Sequence, residues 1–129
     1  MAGGVKDFEE LEIFKKARVL VNEIYILTKN EQFKKDYELA DQLRRAGISI
    51  MSNIAEGFDR GNNEFKRYLT ISRGSVSEVR SQAIIARDLG YIGETDYLKI
   101  KKECNELSAM IKSLINYLKS KGEKEHEKK

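Results

Sequence analysis

The chain has no proline and no tryptophan, and it holds a single cysteine and a single histidine among its 129 residues. Each scarcity excludes something. Without proline nothing forbids long uninterrupted helices, and abundant Lys, Glu, Leu and Ile favour helix over strand. One cysteine, Cys104, cannot form an internal disulfide, and it reads as a core thiol in a reducing compartment. The one histidine, His126, lies near the C-terminus, so a histidine base, a catalytic triad and a histidine-based metal cluster are all excluded within the body of the chain. A di-iron helical bundle needs Glu-x-x-His pairs on facing helices, and none precedes the tail. There is no phosphate-binding P-loop and no G-x-G-x-x-G. No metal, cofactor or catalytic residue is therefore expected, and the chain reads as non-enzymatic.

No run of about twenty apolar residues exists, so no membrane span is expected. Met1 to Val5 lack the apolar stretch of a signal peptide, which predicts a cytoplasmic protein. The length is that of one domain with a core of its own.

What is present is charge and periodicity. Charged residues make up 35% of the chain, against about a quarter in ordinary domains, yet the net charge is only +3. From Arg44 to Arg87 seven arginines and one lysine face four acidic residues, a local excess of +4, so the middle carries all of the surplus. Such asymmetry raises the question of nucleic acid.

Apolar spacing predicts four helices. The first covers residues 8 to 28, with Asp7 and Glu10 as a capping pair and Leu11, Phe14, Ala17, Val21, Ile24 and Thr28 on one face. Residues 30 to 35 form a polar connection. The second helix covers residues 36 to 56, with Leu39, Leu43, Ala46, Ile50 and Asn53 inward, and Gly57 ends it ahead of a turn over residues 58 to 63. The third covers residues 63 to 89, capped by Asn62 or Asn63. Its stripe of Phe65, Leu69, Ser72, Val76, Val79, Ala83 and Ala86 alternates steps of four and three without a break. Gly90 stops it. The fourth covers residues 95 to 119, with Ile100, Cys104, Leu107, Ile111, Leu114 and Leu118 inward. Residues 120 to 129 read as a disordered charged tail. Helices of this length on short loops predict one all-α domain over residues 1 to 119, an antiparallel up-down-up-down four-helix bundle.

Two polar or apolar patterns are left over. On the third helix Lys66, Arg73, Arg80 and Arg87 recur every seven residues, just beside the core stripe. One reading is salt bridging to a neighbouring helix. The other is a row that engages phosphates together with Arg44, Arg45, Arg60 and Arg67, since the planar arginine fork pairs with phosphate bidentately. On the second helix Ile48 and Ala55 lie opposite the core stripe with Met51 beside them, so that helix is apolar nearly all round; Ile71, Ile84 and Ile85 on the third likewise fall outside its stripe. An exposed apolar patch of this kind predicts a homo-oligomer interface.

Several stretches carry a family resemblance: LEIFKKA (Leu11 to Ala17), QLRRA (Gln42 to Ala46), NIAEG (Asn53 to Gly57) and GSVSE (Gly74 to Glu78), with Glu64-Phe65 before the third helix and LGYI (Leu89 to Ile92) after it. Over residues 8 to 118 the chain resembles the bacterial four-helix bundle family encoded by intervening sequences of large-subunit ribosomal RNA genes. It departs in having Phe14 where that family often has Trp, no proline between the first two helices, and a low net charge. The resemblance implies an antiparallel four-helix bundle that assembles as a ring-like homopentamer. It also points to a relative, the accessory variability determinant of diversity-generating retroelements, which binds nucleic acid and a reverse transcriptase. The expected partners are therefore a second copy of the chain, RNA or DNA, and a reverse transcriptase, nuclease or other protein, the last as a scaffold alternative without nucleic acid. In the motifs, Gly74 and Ser75 are small enough to let another helix approach, Asn53 and Glu56 are expected to bond loop backbone or pair with Arg44, Arg45 or an arginine of the third helix, so that Asn53 to Gly57 fixes the corner between the second and third helices, and Glu78 is a further motif residue.

Overall fold

A computed structural model describes residues 4–127, with side chains described through Glu123. The outermost parts of the predicted bundle and tail, Met1 to Gly3 and Lys128 to Lys129, lie outside the described residues, as does the side chain of His126. Among the described residues there are five α-helices, one short 3₁₀ turn and no strand. None of these helices is long and apolar enough to cross a membrane.

Asp7 does act as a cap, but on the 3₁₀ turn Phe8–Glu10, where its side chain accepts from the Glu9 N–H. Helix α1 follows after Leu11 and spans Glu12–Leu27. The expected polar connection is itself a helix, α2 (Glu31–Lys35). Asn30 caps it, accepting from the Phe33 N–H at 2.8 Å, and Phe33 is fully buried. One buried aromatic and one cap are enough to fold a single turn onto the core.

Helix α3 spans Tyr37–Arg60, capped by Asp36, and runs straight through Gly57. This corrects the expected stop. Gly57 is buried and has no positive φ; a Cβ there would meet the Tyr68 Cβ at 2.5 Å and Phe65 Cδ1 at 3.1 Å. The glycine serves close helix approach and does not terminate the helix. The stop falls at Gly61, whose φ of 99° lies in the left-handed region open to glycine. Helix α4 (Asn62–Asp88) follows at once, with no side-chain cap from Asn62 or Asn63. Gly90 ends α4 as expected, at φ 78°; the Tyr91 N–H donates to Ala86 O and the Gly90 N–H to Arg87 O, a Schellman closure. Helix α5 spans Glu94–Glu127 and continues eight residues beyond Lys119, where a disordered tail was expected. Lys and Glu are good helix formers, and they supply five of the eight residues from Ser120 to Glu127.

All seven residues of the predicted α4 stripe are buried. In α3 the inward position falls on Ile54, and Asn53 is only half-buried; in α5 it falls on Ile115 in preference to Leu114. Phe14 is half-buried and packs edge-on against Phe8. The core gathers α1 on α3, α3 on α4, α4 on α5 and α5 on α1. The α3–α4 seam is the closest: the Ser72 hydroxyl donates to Ile50 O at 2.9 Å, and the Ser49 and Ser75 hydroxyls meet at 2.9 Å.

Candidate nucleic-acid interface

The seven-residue row on α4 turns toward α5. All four members are half-buried. Arg73 Nε donates to Ser108 Oγ at 2.9 Å, and Arg80 Nη1 to Asn105 Oδ1 at 3.1 Å. Arg87 lies over the Tyr97 ring, 4.2 Å from its centroid, and reaches Glu94 at 3.8 Å and Asp88 at 3.5 Å. Lys66 stands beside Asn63 and the Lys119–Gly122 segment of α5, lining a shallow depression. Among the described residues, cross-helix ion pairing in this row therefore involves Arg87 alone. Arg73 and Arg80 end on neutral oxygens, so their positive charge is held in place without being cancelled.

The other four arginines separate by environment. Arg44 is fastened to α1: its Nε donates to the buried Thr28 hydroxyl at 2.8 Å, and its guanidinium sits 4.8 Å from the Tyr25 ring. Arg45, Arg60 and Arg67 are exposed and pair with carboxylates on their own helices, Asp41, Glu56 and Glu64. Such one-turn surface pairs contribute only about 0.3–0.5 kcal/mol each. Arg60 and Arg67 both lie over Tyr68, at 5.3 and 4.9 Å from its centroid, so one aromatic side chain ties together the ends of α3 and α4.

The six apolar candidates divide as well. Ile48, Ile71 and Ile85 are exposed, at 43%, 45% and 44%. Ala55 is half-buried, while Met51 and Ile84 are half-buried and pack against the core. Helix α3 is therefore not buried on two sides within one chain. Ile71, Gly74, Glu78 and Ile85 share the outer face of α4 by their spacing. Gly74 has nothing within 4 Å of where a Cβ would stand, and Ser75 beside it is buried against Ser49. The outer face thus carries an open small-residue notch one turn from the exposed Ile71.

The NIAEG corner is held differently from the expectation. Asn53 donates back to Ser49 O at 2.8 Å and touches the Ser49 hydroxyl at 3.1 Å, so it bonds within α3 and reaches neither loop nor arginine. Glu56 pairs with Arg60 of its own helix and accepts from Tyr68 OH at 3.4 Å. Glu78 lines an α3–α4 groove with Gln42, Arg45 and Gln82.

Ser108 and Asn105, the anchors of the arginine row, escape a reading of the sequence. The signal for them is their place on α5, one residue past the stripe positions Leu107 and Cys104. Tyr68 carries no such signal, because its two arginines come from different helices. Cys104 is buried, and desolvation pushes its thiol up to about 12, so it is a packing residue and a poor nucleophile. Among the described residues, no three His, Cys, Asp or Glu side chains converge where a metal ion could sit.

Compared with known proteins, residues 9–113 match the family model of the 23S rRNA-intervening sequence protein. A solved structure from Bacteroides thetaiotaomicron, a protein of unknown function from the S23 ribosomal protein family, aligns with a TM-score of 0.73 at 24% identity. The alignment covers 80% of this chain and 97% of that one, and at this identity it speaks for the fold alone. No curated protein matches closely enough to count as a relative.

Proposed function

The chain belongs to the 23S rRNA-intervening sequence protein family, and from that premise we propose that it is a non-enzymatic, homo-oligomeric accessory protein of the cytoplasm that binds RNA or DNA through phosphate contacts. In this reading its long helices α1, α3, α4 and α5 form an antiparallel four-helix bundle. The cross-helix pairs support that arrangement, since partner numbers fall on one helix as they rise on the next. Lys16 pairs with Glu106 and Glu23 with Lys99; Ser49 meets Ser75 and Glu56 meets Tyr68; Arg73 meets Ser108 and Arg87 meets Glu94. The subunits assemble into a ring, a pentamer by the family resemblance, through the α3–α4 outer face that carries Ile48, Ile71 and Ile85.

The observation that carries the nucleic-acid reading is the anchoring of Arg73 and Arg80 on the neutral Ser108 and Asn105. A structural salt-bridge row would bring carboxylates to these arginines and cancel the field. A row fixed by neutral acceptors keeps it, pre-oriented for phosphate oxygens. The exposed Arg45, Arg60 and Arg67 add charge whose local pairs are weak enough for phosphate to displace. Replacing Arg73 and Arg80 by Gln removes two charges while keeping a donor for each acceptor. The proposal expects weaker binding of structured RNA and duplex DNA in a mobility-shift assay, with circular dichroism unchanged. Undiminished affinity would refute it.

A second reading has its own observation. The exposed Ile48, Ile71 and Ile85, together with the open Gly74 position, suit a protein-docking scaffold for a reverse transcriptase, a nuclease or another partner. A protein partner retained after nuclease treatment, with no nucleic acid bound at low salt, would favour it.

A further inference from the structure

The seam between α1 and α5 carries a cluster of charges apart from the arginine row. From α1 it receives Lys16 and Glu23, and from α5 Lys99, Glu103 and Glu106. Lys16 is committed to Glu106 at 2.7 Å, and Lys99 to Glu23 at 3.1 Å. Glu103 lies between these two bridges and, among the described residues, pairs with no cation of its own. One oxygen of Glu103 and one of Glu23 are each buried without a hydrogen-bond partner. Two lysines against three carboxylates leave one negative charge too many, and one added proton makes the five groups neutral. The remaining charges near Glu103 do not supply it. Glu12 and Lys15 of α1 lie at the open mouth of the groove, Lys15 paired to Glu12. Asp96 and Lys102 of α5 are exposed. On the far side Arg80 of α4 is turned to Asn105.

We propose that this seam is a pH-gated joint: a proton on Glu103, held against the Glu23 carboxylate, fastens α1 to α5, and its release to solvent as the pH rises through neutrality loosens α1 from the rest of the fold. Protonated, the Glu103 carboxyl donates to the Glu23 carboxylate and both orphaned oxygens are satisfied. Deprotonated, two like charges face each other with one oxygen of each shielded from water. Burial, and then the neighbouring Glu23, push Glu103 up from 4.5 to about 7, in keeping with the geometry. Because the folded state holds this proton more tightly than the unfolded chain, the stabilisation is complete below the ordinary carboxylate value and is lost as the pH rises toward 7.

Two measurements on the full chain decide it. A carbon-13 NMR titration of the glutamate carboxyls should give Glu103 a midpoint near neutrality; a midpoint at the ordinary carboxylate value overturns the proposal. Amide exchange at pH 6 and pH 8, with its intrinsic pH dependence divided out, should show protection of α1 and of the facing turns of α5 falling about tenfold. Helices α3 and α4 should keep theirs, and Glu103→Gln should abolish the difference. A fall of equal size in Glu103→Gln, or one spread evenly over all helices, overturns the joint. Should that variant not fold, the wild-type carboxyl titration still decides.

Discussion

Gly57 of α3 and Tyr68 of α4 stand so close that a Cβ added to the glycine would lie 2.5 Å from the Cβ of the tyrosine. No side chain, however small, fits without parting the two helices. Gly57→Ala is therefore expected to destabilise the fold by about 3 kcal/mol, the upper range for overpacking a rigid site. Thermal unfolding should register it as a drop in Tm on the order of 10 °C. A change within a degree would mean that the α3–α4 corner is looser than described.

The bond from Arg73 to Ser108 predicts a selective cost. Ser108→Ala leaves a half-buried guanidinium without its acceptor, and urea unfolding should show a loss of about 1 kcal/mol. Arg45→Ala removes only an exposed pair with Asp41 and should stay within about 0.5 kcal/mol of wild type. Equal effects would contradict the distinction between seam and surface arginines.

The proposed oligomer rests on the outer face of α3 and α4. With Ile71 and Ile85 both replaced by Lys, the helical signal should persist and light scattering should report the mass of one chain, 14.9 kDa. Wild type should run as a multiple of that mass at micromolar concentration. A wild-type monomer would remove the ring from the proposal.

Cys104 is predicted to be silent. Buried, with its thiol pushed up to about 12, it should resist a thiol reagent at pH 8 in the native protein and react at once in denaturant. Rapid native labelling would place it on a surface.

The α4 core is legible in the sequence because its seven positions step without a break, and a stripe that regular has only one face to bury. Gly57 and Gly61 are not distinguishable in the same way. A glycine near a helix end serves equally as a stop or as a notch, and only Tyr68, brought from α4, decides which. The extent of α5 is hidden because Lys- and Glu-rich segments suit both a solvated tail and a solvated helix. The site is half legible. Heptad spacing sets Lys66, Arg73, Arg80 and Arg87 beside the core, but the acceptors of Arg73 and Arg80 belong to α5 and depend on its register. The Glu23–Glu103 pair carries no sequence signal, since the residues are eighty apart and neither belongs to a motif.

The central claim, phosphate contact by a charged helical surface, is tested most directly by a salt titration of the wild-type protein binding a structured RNA. Binding should be measurable at low salt, with log Kobs falling linearly against log salt, more steeply the more phosphates are neutralised. No binding at low salt, or an affinity indifferent to salt, would contradict it.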